Sequence, residues 1–258
     1  MRSRKTVLCL LALLLLPVSA GAAPMIDIEG AIGIWRTSPD GTVAYDPVSG
    51  TDLLDIEDDL SFDDETEFTA RLKIDMPPFI PNLYFMVNPM EFEGTATRSI
   101  GFNFGDLTFG ANVPYKAELS MDQYDVGLFY GVPLMKTASL YMLNLEGGLN
   151  VRIIDAEARI RETLTGLEES EKETFVLPML YLGAQFQPIE RFAFEAEARG
   201  VTYDGESIVS LIGRLKVKAV GPLFVAGGYR YEDYDVDYND FIIDVTFSGP
   251  FIETGFNF

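Results

Sequence analysis

Apolar and polar residues alternate with a period of two along most of the chain, and this pattern is typical of β-strands. Residues 192–199, which read FAFEAEAR, show it most clearly, whereas helical periodicity is scarce. Clusters of Pro, Gly and Asp separate these runs, as turns do. They divide the sequence into ten predicted strands, at 25–36, 64–76, 82–97, 115–131, 138–161, 173–187, 190–203, 207–220, 222–235 and 241–258.

Three features favour a membrane barrel over a soluble sandwich or a lipocalin, in which the apolar face packs inward. The apolar faces carry many small residues, and the polar faces hold opposite charges on neighbouring strands. Aromatic residues cluster near strand ends, as in the girdles of membrane barrels: Tyr124, Tyr130, Tyr229, Tyr231, Phe256 and Phe258. We therefore predict an all-β fold, a closed antiparallel up-and-down transmembrane β-barrel of about ten strands, with eight or twelve as alternatives.

Four of the links between the predicted strands are longer and acidic, at 37–63, 98–114, 162–172 and 236–240, and the others are short. A two-residue turn at Asp204-Gly205 would pair Tyr203 with Glu206, and hence Glu195 with Arg214. In the last predicted strand the apolar residues stand at odd positions before Gly249-Pro250 and at even positions after it. We interpret this switch as a β-bulge at Gly249-Pro250. In the first long link, Leu53, Leu54, Ile56 and Leu60 have helix-like spacing, so a short helix is expected over the mouth of the barrel.

The first 22 residues have the three parts of a secretory signal peptide: a basic start, a short apolar run and the small residues Ala20-Gly-Ala22. The apolar run is about half of the ~20 residues that a membrane-spanning helix needs. We expect cleavage after Ala22, which leaves residues 23–258 as the barrel. Export followed by barrel formation predicts the bacterial outer membrane as the location.

The polar faces of the strands give a set of residues that we expect to line the lumen. They are Arg71, Lys73, Glu146, Arg152, Glu195, Glu197, Arg199, Arg214, Lys216, Lys218 and Arg230. Barrels of about eight strands are filled by side chains, whereas those of 16–18 strands leave a channel. A filled, charged lumen is therefore favoured, and a narrow pathway for small ions or solutes remains the alternative.

Composition excludes several classes of function. The 258 residues include 19 Lys and Arg, 40 Asp and Glu, one cysteine and no histidine, for a net charge of −21. The acidic balance argues against a nucleic-acid surface, and the missing histidines exclude Ser-His and Cys-His catalytic pairs. Acid–base pairs such as Glu195 with Glu197, or Glu91 with Glu93, remain available, but residues two apart on a lumen face are expected to form ion pairs. We expect no enzyme activity.

Two acidic clusters offer the hard oxygen ligands that Ca²⁺ prefers. One contains Asp55, Glu57 and Asp59, and the other Asp233, Asp235 and Asp237. Neither has the glycine that an EF-hand loop requires, since Leu60 and Tyr238 stand at that position. Solvated acidic rims are therefore the main expectation, with no cofactor and at most weak Ca²⁺ binding.

Several motifs resemble known outer-membrane proteins. The C-terminal Phe256-Asn-Phe258 resembles the last-strand signal that outer-membrane insertion machinery reads in Gram-negative bacteria, although Glu253 stands where that signal often has glycine. Short stretches also resemble an uncharacterised family of outer-membrane β-barrels with a central Gly-Gly pair: residues 55–60 and 62–65, Pro81-Asn82, 147–150, 227–230 and 248–250. This resemblance implies location and fold, and it brings no activity with it.

Together these points predict a monomeric outer-membrane barrel with a charged lumen and acidic outer loops, in a structural or surface-interaction role. A narrow porin-like channel is the first alternative and a soluble periplasmic lipocalin-like binding protein is the second. The expected partners are outer-membrane lipid, lipopolysaccharide and, during biogenesis, the insertion machinery.

Overall fold

The computed structural model describes residues 26–46, 48–49, 52–77, 79–203, 205–238 and 241–258, so the predicted signal peptide lies outside the described residues. This part of the chain contains thirteen strands and one short helix. They are β1 (Asp27–Tyr45), β2 (Leu54–Asp55), β3 (Glu65–Asp75), β4 (Asn82–Ala96), β5 (Phe102–Phe104), β6 (Leu107–Phe109), β7 (Tyr115–Gly131), α1 (Met135–Ala138), β8 (Leu143–Glu162), β9 (Glu168–Ile189), β10 (Phe192–Tyr203), β11 (Glu206–Lys218), β12 (Leu223–Tyr238) and β13 (Phe241–Asn257). No helix within the described ranges is long and apolar enough to cross a membrane.

Ten of these strands form one closed antiparallel barrel. Each pairs with its neighbour in chain order, and β13 pairs with β1 from Glu29↔Asn257 to Tyr45↔Phe241 to close the sheet. β2 adds to the edge of β1, and β5 pairs only with β6. The predicted fold class and the count of ten strands are confirmed.

The two ends of the barrel differ. Residues 26 and 258 and the links after β3, β7, β9 and β11 lie at one end, which we call the terminal end. The links after β1, β4, β8, β10 and β12 lie at the other, the loop end. At the terminal end, Ile28 and Phe258 exchange backbone hydrogen bonds of 2.9 and 3.0 Å, which seal the junction of the first and last strands.

The register that the Asp204-Gly205 turn predicts is confirmed. Asp204 lies outside the described residues, but β10 and β11 pair Tyr203 with Glu206 and Glu195 with Arg214. The predicted bulge at Gly249-Pro250 is wrong, because β12 and β13 keep one register on both sides of it, from Leu223↔Phe256 to Tyr238↔Phe241.

On β13 the apolar residues stand at odd positions near the loop end and mainly at even positions near the terminal end. This switch occurs because the polarity of the barrel interior differs between the two ends. Odd-numbered residues point inward along the whole strand: Phe247 near the loop end is buried, as is Glu253 near the terminal end. The even-numbered Ile252 points outward and is 54% exposed. An apolar residue on this strand therefore faces the interior in one half of the barrel and the exterior in the other.

Two predicted boundaries at the loop end are wrong for the same reason, and a third, at the terminal end, is wrong as well. β1 continues to Tyr45 where a link was expected from residue 37, and β9 begins at Glu168 instead of 173. The strand expected from 138 begins at Leu143, after α1 and a turn. Towards the loop end the strands carry charged residues on their outer face. A search for outward-facing apolar residues therefore misses this part of the barrel, which we call the upper wall.

An apolar band surrounds the terminal half of the barrel. On β8 it runs through the outward-facing residues from Leu143 to Ile153, and Leu149 is 64% exposed. Ten steps of ~3.3 Å, tilted by ~40°, give a height of ~25 Å, as in membrane barrels. Tyr130 and Phe258 are exposed near the terminal edge of the band. Tyr231, which precedes the outward-facing Asp233, marks the opposite edge.

Candidate functional site: an ion-pair plug below an apolar chamber

The interior of the terminal half holds a cluster of charged side chains, which we call the plug. It contains seven cations and seven carboxylates: Arg71, Lys73, Arg152, Arg199, Arg214, Lys216 and Arg230, with Glu29, Asp125, Glu146, Glu195, Glu197, Glu232 and Glu253. Alternation on the strands brings them inside, because the opposite faces carry the apolar band. Equal numbers of opposite charges let these groups be buried in pairs.

Arg71 and Arg214 occupy the centre of the plug. Arg71 donates to Glu29 at 2.7 Å and, through two nitrogens, to Glu253 at 2.7–3.2 Å. Arg214 donates to Glu197 at 2.6 Å and to Glu195 at 3.3 Å. Bonds of this charge-assisted kind are the strong ones. They join β1, β3, β10, β11 and β13 across the lumen.

A second group of ion pairs lies towards the loop end. Arg152 reaches Asp125 at 3.0 Å and Glu232 at 3.1 Å, and Arg230 donates to Glu232 at 2.5 Å. The Arg230 guanidinium also lies 4.4 Å from the ring centroid of Trp35. The hydroxyl of Tyr234 donates to Glu232 and accepts a hydrogen bond from Arg152 at 3.0 Å. This tyrosine forms the boundary between the plug and the apolar region above it.

Arg199 depends on one carboxylate. It donates to Glu197 at 2.6 Å, and its guanidinium lies 4.6 Å from the ring centroid of Tyr84 and 5.4 Å from that of Tyr181. Of the residues that the structure describes, Glu197 is the one acid in ion-pair contact with Arg199. Glu197 therefore serves two guanidinium groups, those of Arg199 and Arg214.

The structure places ten of the eleven lumen candidates inside the barrel. Lys218, the last residue of β11, is exposed at the terminal end, where it lines the polar cavity described below. Sequence reasoning missed four carboxylates of the plug: Glu29, Asp125, Glu232 and Glu253. Each has the inward parity of its strand, so continuing the alternation from known lumen residues, for example from Arg230 to Glu232, would have found them.

The two carboxylate pairs considered for acid–base chemistry have different surroundings. Glu195 and Glu197 are both bound to cations of the plug. Glu91 and Glu93 point outward on β4, where Glu93 binds Lys116 at 2.8 Å. Glu195 and Glu197 also line the polar cavity at the terminal end of the plug.

A polar cavity of about 310 Å³ lies at the terminal end of the plug. Asp27, Lys136 and Arg191 line it near the end of the barrel, and Arg71 and Arg214 line its inner part. The cavity forms an inlet at the terminal end, and the charged side chains of the plug line its inner end.

Above the plug, in the loop half, the interior is apolar. It contains a cavity of about 650 Å³, which we call the apolar chamber. Its wall includes Met121, Ile154, Leu177, Val245 and Phe247, from four different strands. On β8 the outward-facing residues at this height are charged, beginning with Asp155 and Glu157, so the polarity of this wall is the reverse of that in the terminal half.

With the barrel and its interior described, comparison with known proteins gives a limited result. No protein-family model matches the sequence, and no curated protein matches it. Among solved structures, the chain is similar to Ail, the attachment invasion locus protein of Yersinia pestis, with a TM-score of 0.40, 11% identity and coverage of 91% of this chain and 99% of that chain. The translocator domain of the autotransporter NalP from Neisseria meningitidis gives a TM-score of 0.43 and 11% identity over 99% of this chain and 98% of that chain. Neisserial surface protein A gives 0.30 and 10% over 90% and 97%. At these values the likeness concerns the barrel fold alone.

The first long link forms the roof of the chamber. Its residues 52–64, which we call the capping segment, fold into the mouth and bury Leu54, Ile56, Leu60 and Phe62. The predicted helix is wrong, because Leu54 and Asp55 pair with β1 and residues 56–59 form a hydrogen-bonded turn. The helix-like spacing of these apolar residues matches burial on a turn instead.

Polar contacts hold the capping segment in place. Tyr115 donates to the carbonyl oxygen of Asp59 at 2.5 Å, and Arg98 binds the Asp59 carboxylate at 2.8 Å. Asp52 accepts backbone N–H bonds from Asn103 at 2.7 Å and from two residues of its own turn. Burial raises the pKa of the Asp52 carboxyl, but these donors outweigh it and lower the pKa to about 2.

The two calcium candidates do not form coordination sites among the described residues, where no three potential metal ligands come together. Asp55 accepts N–H bonds from Glu57 and the next residue, and Asp59 accepts one from the Asp55 N–H, so these carboxylates stabilise a turn. Asp233, Asp235 and Asp237 follow each other on the outward face of β12, and Asp233 accepts hydrogen bonds from neighbouring hydroxyl groups.

The residues of the insertion signal lie at the end of the last strand. Phe256 is half-buried and packs against Gly30, where a Cβ would come within 3.2 Å of the ring. Phe258 is 68% exposed, and its ring centroid lies 5.3 Å from that of Phe256. Both rings lie at the terminal edge of the apolar band.

Proposed function

We propose that this chain is an outer-membrane β-barrel that the plug closes to ions and solutes, with a structural or surface-interaction role and no catalytic activity. The plug is the observation that carries the proposal. Its arginines are almost fully buried and paired with carboxylates, and the ion pair of Arg152 on β8 with Glu232 on β12 crosses the lumen. Moving such side chains aside would separate buried charges, which is energetically costly.

The exterior supports the membrane location. The apolar band is about as tall as the hydrocarbon core requires, and aromatic residues lie at both of its edges. The two longest links, after β1 and β4, lie at the loop end, and residues 26 and 258 lie at the terminal end. In barrels of this kind the longer loops are outside the cell, so the terminal end would be the periplasmic end. The upper wall and the capping segment would then project outside the cell. We expect membrane lipid and lipopolysaccharide around a monomeric barrel, with the insertion machinery as a partner during assembly.

Conductance of the purified, inserted protein in a planar bilayer tests the proposal. We expect no discrete current steps from protein whose insertion is shown by its heat-dependent gel mobility. Steps that change size in the variants Arg214→Gln and Lys216→Gln would refute the closed plug. They would establish the narrow channel, for which the polar inlet at the terminal end is the supporting observation.

A further inference from the structure

The apolar chamber is larger than the packing of a barrel interior explains. Protein interiors are close-packed, with few voids larger than a water molecule. The chamber nevertheless keeps about 650 Å³ between apolar side chains, directly above a plug in which charged groups fill the lumen. A volume of this size lies in the range of small-molecule sites, which are typically apolar with a few polar groups.

The chamber has a floor, a roof and an opening. Tyr234 and Ile208 contribute to the floor, above the plug, and Leu54 and Ile56 of the capping segment contribute to the roof. Charged residues border it towards the loop ends of β7, β8, β9 and β11, where the lining includes Glu173 and Glu206. An apolar molecule would enter there, between the capping segment and the upper wall.

The border of this opening is acidic. Glu171, Glu173 and Glu206 line it, and Tyr45 donates to Glu171 at 3.3 Å. Arg159 also borders the chamber, but Glu157 binds its guanidinium at 2.8 Å. With the net charge of −21, this border repels anions and attracts cations.

We propose that the apolar chamber binds an apolar small molecule that is uncharged or carries a cationic group, taken up from the loop end. The lipid bilayer does not supply the occupant directly, because the wall at the height of the chamber carries charged residues such as Asp155 and Glu157 on its outer face. This inference goes beyond the closed plug and does not depend on it.

The test uses the whole barrel in phosphatidylcholine vesicles and the uncharged fluorescent probe N-phenyl-1-naphthylamine. Trp35 is the single tryptophan of the chain, so it is the sole donor for energy transfer to the probe. Probe dissolved in the lipid adds a signal that grows without saturation. A bound probe adds a saturable signal, which we expect for the wild-type barrel.

Two variants fill the chamber independently. Ala156 and Ala158 both line it from β8, so Ala156→Phe and Ala158→Phe each put a ring into the space. We expect each to weaken the saturable binding at least ~10-fold. The matched control is Ala198→Phe, which adds the same ring on the lipid-facing side of β10 and should leave binding unchanged. Heat-dependent gel mobility identifies the variants that are folded.

The absence of saturable transfer in the wild type would overturn the proposal. Saturable transfer that the folded filling variants leave unchanged would overturn it equally, because the probe would then bind elsewhere. A closed plug is compatible with either result, so failure here is distinct from failure of the conductance test.

Competition measures the charge preference. Dodecylammonium, dodecan-1-ol and dodecanoate have equal chains, and we expect dodecylammonium to displace the probe best and dodecanoate worst. The double variant Glu171→Gln/Glu173→Gln should reduce the ratio of the apparent affinities for dodecylammonium and dodecanoate at least ~3-fold. Comparing this ratio between the two proteins removes the contribution of partitioning into lipid. Equal or better competition by dodecanoate in the wild type would refute the charge part of the proposal.

Discussion

Removing the carboxylate of Glu197 should destabilise the barrel far more than removing that of its neighbour Glu195. Glu197→Gln leaves Arg199 without its carboxylate partner and leaves Arg214 with the 3.3 Å contact to Glu195 and the 3.7 Å contact to Glu253. Breaking a buried ion pair by removing one partner costs about 3–5 kcal/mol. Because glutamine keeps the shape and can still accept a hydrogen bond, we expect about 3 kcal/mol from this variant.

Glu195→Gln is the matched comparison within the plug. Glu195 binds Arg214 and Lys216, but each cation keeps another carboxylate, Glu197 at 2.6 Å and Glu29 at 2.7 Å. The expected loss is therefore at the low end for a hydrogen bond to a charged group, about 1.5–2 kcal/mol, because glutamine keeps one acceptor oxygen. Glu157→Gln, which breaks a half-exposed pair with Arg159 on the outer wall, should cost less than about 1 kcal/mol.

The assay is reversible unfolding of the vesicle-inserted barrel in urea, followed by Trp35 fluorescence and by gel mobility. The free energy of unfolding should fall in the order wild type, Glu157→Gln, Glu195→Gln, Glu197→Gln. Equal losses for Glu195→Gln and Glu197→Gln would refute the claim that the second carboxylate of each cation compensates. A loss below about 1 kcal/mol for Glu197→Gln would show that the pair is not buried as the structure has it.

Two further predictions concern the capping segment. Because the folded-state pKa of Asp52 is about 2, below its ordinary value of 3.8, its stabilising contribution is complete above about pH 4 and is lost as the pH falls towards 2. Pepsin at pH 2 should therefore cut the capping segment of the wild type. Cleavage of the Asp52→Asn variant should depend less on pH. A wild-type segment that stays protected at pH 2 would contradict the stabilising role of the Asp52 carboxylate. A Cβ at Gly94 would lie 2.1 Å from the Leu60 carbonyl oxygen, so Gly94→Ala should displace the segment and speed its proteolysis at neutral pH. Gly213→Ala, with no heavy atom within 4 Å, is the control, and equal cleavage of the two variants would refute the contact.

The fold could be predicted because alternation and turn chemistry both act locally. The pairing of Glu195 with Arg214 follows from a two-residue turn a few positions away, and strand parity does the rest. The partners of Arg71 could not be predicted in this way. Glu253 is 182 positions distant, and only the closure of β13 onto β1 brings the two side chains together.

The apolar chamber was not predicted, because the apolar face of each strand was expected to face lipid along the whole strand. A constant apolar face would place Val245 and Phe247 on the lipid side of β13, and it therefore requires the bulge at Gly249-Pro250, which does not exist. Alternation fixes which residues share a face, but it does not state which face is inside. That choice depends on whether lipid or water surrounds the wall at a given height, and no local pattern contains this information.

In both halves of the barrel the outer face matches the lipid or water around it, and residues of the opposite polarity face the interior. Where lipid surrounds the wall, charges such as those of Arg71 and Glu253 can only be inside, and they are tolerated there because they are paired. Where water surrounds it, charges such as those of Glu157 lie outside and apolar side chains such as Phe247 fill the interior, as in a soluble barrel. A charged lumen and an apolar binding chamber are therefore compatible in a single ten-strand wall, since each is the interior that its own surroundings require. The edge of the lipid band, near Tyr231 outside and Tyr234 inside, is the height at which one arrangement replaces the other.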